Sequence, residues 1–117
     1  MKSVWVTFVK EGFHHWPDAE VILPRRGYLS NMHRHLFHIR VSIPVTEDDR
    51  QVEFHELRDY CESWWPVDGK LGRWSCEMIA ELLGNHVLDR WPLDWVEVSV
   101  SEDNECGAIA RVHVHDQ

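Results

Sequence analysis

His33-Arg34-His35-Leu36-Phe37-His38-Ile39-Arg40-Val41-Ser42-Ile43-Pro44-Val45 is the stretch from which the fold is read. Its side chains alternate. His33, His35, Phe37, Ile39, Val41 and Ile43 fall on one face at period two, and Arg34, Leu36, His38, Arg40 and Ser42 fall on the other. One face is apolar but for two histidines at its start, which predicts a half-buried strand over 33–45.

Working toward the N-terminus, residues 3–9, Ser-Val-Trp-Val-Thr-Phe-Val, are β-branched and aromatic and predict another strand. It runs on toward Phe13 and His14 and is broken by Trp16-Pro17-Asp18. Residues 17–31, with Pro24, Arg25, Arg26 and Gly27, read as a surface loop. Toward the C-terminus, Thr46-Glu47-Asp48-Asp49 is an acidic turn, and the period then changes. Phe54, Leu57, Tyr60, Cys61 and Trp64 line one face of an amphipathic helix over 53–64. Pro66 ends it, and Val67-Asp68-Gly69 reads as a turn. Ser75 is the expected N-cap of a second helix carrying Ile79, Leu82, Leu83 and His86, ending near 88, with Gly84 weakening its last turn. Strands follow at 95–100 and 108–114, joined by a turn at 101–104, and Asp116 and Gln117 are expected to fray. The order β-β-α-α-β-β predicts an α+β domain over 1–117: an antiparallel sheet with two helices on one face.

Composition supports a single folded domain. The chain has 117 residues, 44% hydrophobic and 27% charged. Twelve basic against twenty acidic residues give a net charge of -8. That argues against non-specific nucleic-acid binding and against docking on an anionic membrane surface. No apolar run approaches the roughly 20 residues of a membrane span. The first ten residues alternate rather than forming a signal peptide. Cys61, Cys76 and Cys106 are an odd set without metal or disulfide spacing. They are expected to be free thiols in a reducing cytoplasm.

Nine histidines and seven tryptophans are high for this length. Residues two apart on a strand share a side, so His33 and His35 can share one metal ion. His14 or His15 can add a third ligand if the first two strands pair, whereas His38 faces away. The competing reading is histidines that merely pack. Glu77 and Glu102 could each accept paired N–H bonds from the edge of a pterin or guanine, or simply serve a helix start and a solvated turn. Cys76 lies at a helix N-terminus, where a thiol pKa tends to fall and the thiol could be reactive; the competing and commoner reading is a buried, inert thiol. Cys61 reads as core and Cys106 as exposed. The tryptophans flank helix ends and strand starts, as structural rings do. There is no phosphate-binding glycine loop and no nucleophile elbow.

Taken in order, these features resemble the 6-pyruvoyl-tetrahydropterin synthase and 6-carboxy-tetrahydropterin synthase family, whose architecture is the T-fold. The residues that carry the resemblance are Phe13-His14-His15-Trp16-Pro17, His33-Arg34-His35, Glu53-Phe54, Val67-Asp68-Gly69, Trp74-Ser75-Cys76-Glu77 and Val98-Ser99-Val100-Ser101-Glu102, with Ala108 six residues later. The resemblance implies zinc on His14, His33 and His35, with His14 preferred to His15 by its spacing to Pro17. It implies a pterin or purine-like ligand held by Glu102, with Glu77 and Ser75 nearby. It also implies subunit sheets joined edge to edge into a barrel, as a trimer or a hexamer of stacked trimers, with the active site between subunits. The departures are equally specific. Leu29 stands where the family has its catalytic cysteine, Ser30 where some relatives have a glutamate, Gly69 where it has a histidine, and Arg34 where it has a glycine. Replacement acid–base groups are sought in Cys76, Asp68, His38 and His55, with Cys76 and Asp68 the leading candidates. The implied function is a zinc-dependent, pterin-synthase-like enzyme. The alternatives are a catalytically diverged protein that binds a pterin or purine, or a different reaction that uses Cys76.

Overall fold

The structure, a computed structural model, describes residues 1–116. In chain order the elements are β1 (Lys2–His14), a short α1 (Ala19–Ile22) and a 3-10 stretch (Pro24–Ser30). There follow β2 (His33–Val45), α2 (Phe54–Trp64), β3 (Lys70–Gly72), α3 (Cys76–Arg90), β4 (Trp95–Glu102) and β5 (Cys106–His113). The strands form one sheet in the order β3-β1-β2-β4-β5. A 3-10 turn at Val114–Asp116 closes the described chain, and the fraying expected at Gln117 lies outside the described residues.

The β1–β2 ladder positions everything else. It runs antiparallel without a break from Lys2↔Val45 to His14↔His33. The alternation of 33–45 then decides the core: Phe37, Ile39, Val41, Ile43 and Val45 are buried, while Arg34, Leu36 and Arg40 are exposed. On β4, Val96, Val98 and Val100 join the same inner face and are fully buried. Both helices cover that face, α2 through Leu57 and Cys61 and α3 through Ile79, Ala80, Leu83 and Val87.

Local chemistry explains the helix boundaries. The Glu53 carboxylate accepts from the backbone N–H groups of His55 and Glu56 and caps α2. Ser75 Oγ accepts from Met78 N at 3.2 Å and caps α3. Gly84 sits where a Cβ would come within 2.7 Å of Val112 Cγ2, so its missing side chain lets α3 lie close on β5. That close packing carries the helix through Gly84 to Arg90.

Four details differ from the pattern read in the sequence. Phe54 is 55% exposed, because it starts α2 at a groove edge and Val52 fills the core place beside it. Leu82 is half exposed at the margin of the apolar face of α3. The 17–31 loop is locally helical, yet only Ala19 is buried in it. The stretch after Asp68 forms a strand, β3, which lies parallel beside the end of β1 and makes the sheet mixed. Phe13 N donates to Gly69 O at 2.8 Å and His15 N to Gly72 O at 3.0 Å, and Gly69 and Gly72 have φ of +71° and +62°. Three residues bounded by left-handed glycines carry no period to read. Among the described residues, no helix is long and apolar enough to cross a membrane.

Candidate metal centre and its pocket

His14 closes β1, and the ladder sets it directly across from His33, with His35 next on the same face. The ring centroids of His14 lie 4.6 Å from His33 and 5.4 Å from His35, and those of His33 and His35 are 5.0 Å apart. One ligand atom from each ring lies within 4.8 Å of the others. Phe37 is the floor, edge-on to His14 at 5.2 Å and to His35 at 5.8 Å. It fits there because Gly12 has no side chain: a Cβ at that position would meet the Phe37 ring at 2.8 Å.

Each imidazole is held from behind through Nδ1. His14 Nδ1 lies 2.8 Å from Trp74 O, His33 Nδ1 2.9 Å from Asn31 O, and His35 Nδ1 2.7 Å from Asp103 Oδ2. Carbonyl and carboxylate oxygens only accept, so each Nδ1 carries the proton and donates it. In a neutral ring the Nε2 lone pair is then free for a metal. Burial, the dominant effect, lowers the His14 pKa and favours that neutral ring.

Nε2 of His14 and of His35 are buried without a hydrogen-bond partner. Their nearest polar neighbours are acceptors too: Glu102 Oε1 lies 3.3 Å from His14 Nε2, and Glu102 Oε2 lies 3.1 Å from His35 Nε2. Lone pairs facing a carboxylate across such distances call for a cation between them, either protons or a metal ion. His14, His33 and His35 thus form a group that can hold a metal, and the orphaned nitrogens show that the donor set fits one.

His14 and His33 open toward a cavity of about 650 Å³. Of the residues singled out in the sequence, Glu102, Glu77, Ser75 and Cys76 line it together with His14 and His33. Leu29 lines it as well. Asp68 is not among the lining residues: it borders a separate groove with Lys10, Glu11 and Glu62, and its Oδ1 accepts from Lys70 N. His38 lies on the opposite face of the sheet, beside Thr7, Arg40 and Ser99. His55 is exposed in the first turn of α2. His15 is not one of the clustered histidines. At Gly69 the backbone has φ of +71° and a Cβ would come within 3.0 Å of Glu11 O, so a histidine there would be strained.

Of the two readings of Cys76, the structure shows the buried thiol and corrects the lowered pKa. Burial first, and the Glu102 carboxylate second, push its thiol up to about 12, against the lowering expected at a helix N-terminus. The thiol stays protonated and donates weakly to Glu102 Oε1 at 3.8 Å. Asp103 and Arg73 carry no site role in the sequence reading, and Trp16 enters it only beside His14 and His15. Asp103 was read as part of a turn, and its only local signal is an acid directly after Glu102 at a strand end. Arg73 and Trp16 both line the cavity, and Arg73 belongs to no motif.

No protein-family model matches the sequence, and a search of curated proteins returns no match. Among solved structures the chain is similar to the crystal structure of 6-pyruvoyl tetrahydropterin synthase from Plasmodium vivax. The TM-score is 0.62 at 12% sequence identity, over 97% of this chain and 100% of that one. The likeness establishes the fold: this chain has the T-fold of that synthase.

Proposed function

We propose that the chain is a divergent member of the 6-pyruvoyl/6-carboxy-tetrahydropterin synthase family. In this reading it is a zinc-dependent enzyme acting on a dihydroneopterin-triphosphate-like or related pterin. The observation that carries the reading is the set of three histidines, each held through Nδ1, with two buried Nε2 atoms facing a carboxylate at the bottom of a cavity. Three imidazoles suit zinc and leave one position for substrate. Bound there, zinc would act as a Lewis acid on a side-chain carbonyl or hydroxyl oxygen of the pterin.

The protein's own residues supply the rest. Glu102 offers two acceptor oxygens to the paired N–H donors of an amino-pyrimidine edge. Ser75 has already used its oxygen in capping α3, so its hydroxyl hydrogen is what it offers a ligand. Glu77, exposed on the first turn of α3, adds a carboxylate at the pocket wall. Cys76, protonated at neutral pH, offers a weak hydrogen-bond donor and does not attack as a thiolate. Asp68 reaches a substrate only if the pocket is completed differently, since it borders another groove. A pterin- or purine-binding protein without turnover is the second reading, favoured by Leu29 in the pocket and Gly69 in the turn. Free thiols fit a cytoplasmic protein, and the assembly in this reading is a homo-oligomer, a trimer or hexamer.

The test combines elemental analysis with binding and turnover. About one zinc per chain, lost in His33→Ala/His35→Ala, with a pterin bound and consumed, is the expected result. Zinc and pterin bound without turnover would favour the second reading. Absence of both ligands would refute the proposal.

A further inference from the structure

Of the three clustered histidines, only His35 is backed by an anion. Trp74 and Asn31 present neutral backbone carbonyls to His14 and His33, whereas Asp103 presents a carboxylate to His35 Nδ1 at 2.7 Å. The carboxylate is itself held. Asp103 Oδ1 accepts from Leu36 N at 3.0 Å, and Asp103 N donates to Leu36 O at 2.7 Å. Asp103 has φ of +54°, a left-handed conformation that Asp tolerates better than most residues. This turn folds the side chain back beside β2. Both carboxylate oxygens are thus engaged by donors, one from the backbone after His35 and one from the His35 ring.

From this geometry we infer that Asp103 is a positioning residue for the metal centre: it fixes His35 in the Nδ1–H tautomer and aims Nε2 at the shared metal point. The inference rests on the metal-binding reading above and adds a residue outside the ligand set. Carboxylate–histidine–metal pairs of this kind fix the ring and raise its basicity, and their loss typically weakens metal binding about 10–100-fold. An amide cannot replace the carboxylate. Asparagine has one acceptor and one donor end, while the site presents two donors. Either Leu36 N or His35 Nδ1 then meets an N–H group, and in the second case the ring proton is driven to Nε2, where it blocks the metal.

The test measures zinc affinity by chelator competition for wild type, Asp103→Asn, Asp103→Ala and, as a control in the same turn, Glu105→Gln. The ring 15N shifts of His35 are recorded in the zinc-free proteins. We expect an Nδ1-protonated His35 in wild type and zinc binding about 10–100-fold weaker in both Asp103 variants. Asp103→Asn moves the ring proton toward Nε2, and Glu105→Gln behaves as wild type. A merely structural role would lower the melting temperature without moving the tautomer. Unchanged affinity in both Asp103 variants would overturn the inference while leaving the metal site standing. An Nε2-protonated His35 in zinc-free wild type would overturn it without any variant. Wild type that takes up no zinc would overturn the metal reading and this inference together.

Discussion

Cys76 and Cys106 line the same cavity but differ in their surroundings. Cys76 is 6% exposed and its thiol is pushed up to about 12 by burial, then by Glu102, whereas Cys106 is exposed in the hairpin at the cavity rim. Cys61, also buried, is likewise pushed up to about 12. Because the thiolate is the reactive form, iodoacetamide at pH 7.5 should label Cys106 alone in the folded protein and all three thiols after denaturation. Peptide mass spectrometry reads this directly. Rapid labelling of Cys76 in the native state would restore it as a nucleophile. At this scale the sequence is informative where side-chain direction is periodic. His33 and His35 share a face because they are two apart on a strand, and His14 meets them because the hairpin ladder is unbroken. It is silent on Asp103, whose effect depends on a left-handed turn, and it leaves Cys76 open between a reactive and a buried thiol, which burial decides against the helix end.

Among the elements, β1 supplies His14 and packs under the candidate metal centre at Gly12. A Cβ on Gly12 would lie 2.7 Å from Leu71 Cδ1 on β3 and 2.8 Å from the Phe37 ring under the histidines. Gly12→Ala therefore overpacks the joint between β1, β3 and the floor of the site. It should cost about 1–3 kcal/mol by chemical denaturation and weaken zinc binding through the displaced Phe37, whereas full retention of both would show that the joint is soft. The two long helices meet through Tyr60 and His86, whose rings stack at 4.2 Å, with the Tyr60 hydroxyl donating to His86 O at 3.0 Å. Burial lowers the His86 pKa from 6.5, and Asp89 opposes this only in part. The unfolded chain then takes up this proton at a higher pH than the folded one. The contribution of a neutral His86 is therefore present above 6.5 and is lost as pH falls from there through the folded value. His86→Phe keeps a ring on Tyr60 and removes the proton. In zinc-free protein its melting temperature should fall less than that of wild type between pH 7 and pH 5, and parallel curves would refute the assignment. Both helices were legible from their 3.6-residue period, and α3 also from its Ser75 cap. β3 was not, because its pairing is set by the turn geometry of Gly69 and Gly72 and not by any pattern of its own.

At the scale of the whole molecule, the proposed metal and the sheet edges bear on stability. A metal that binds only the folded state adds roughly 4 kcal/mol at a thousandfold excess over its dissociation constant. For a domain of this size that is on the order of 15 °C in melting temperature, a shift that calorimetry with and without chelator would show and that His35→Ala should abolish. The edges bear on assembly. β3 pairs only with Phe13 and His14, so among the described residues the outer side of β1 from Lys2 to Gly12 has no strand beside it, and β5 ends the other side of the sheet. Trp5, Val9 and Ile109 on these two strands are about half exposed or more. Long open edges with apolar side chains invite pairing with another chain. Here the two edges are different surfaces of one chain, so their pairing is head to tail and closes as a ring when the rotation per subunit allows it. The four long strands were legible from the sequence, but the β2–β4 pairing that sets their order was not, nor was β3, whose shortness is what leaves β1 open. Light scattering should accordingly give the mass of several chains, and hydrogen exchange should find the backbone amides of 2–12 and 106–113 protected at high concentration and released on dilution. A monomer at every concentration, with fast exchange along both strands, would mean that the edges stay in water and that the cavity is used as a single chain presents it.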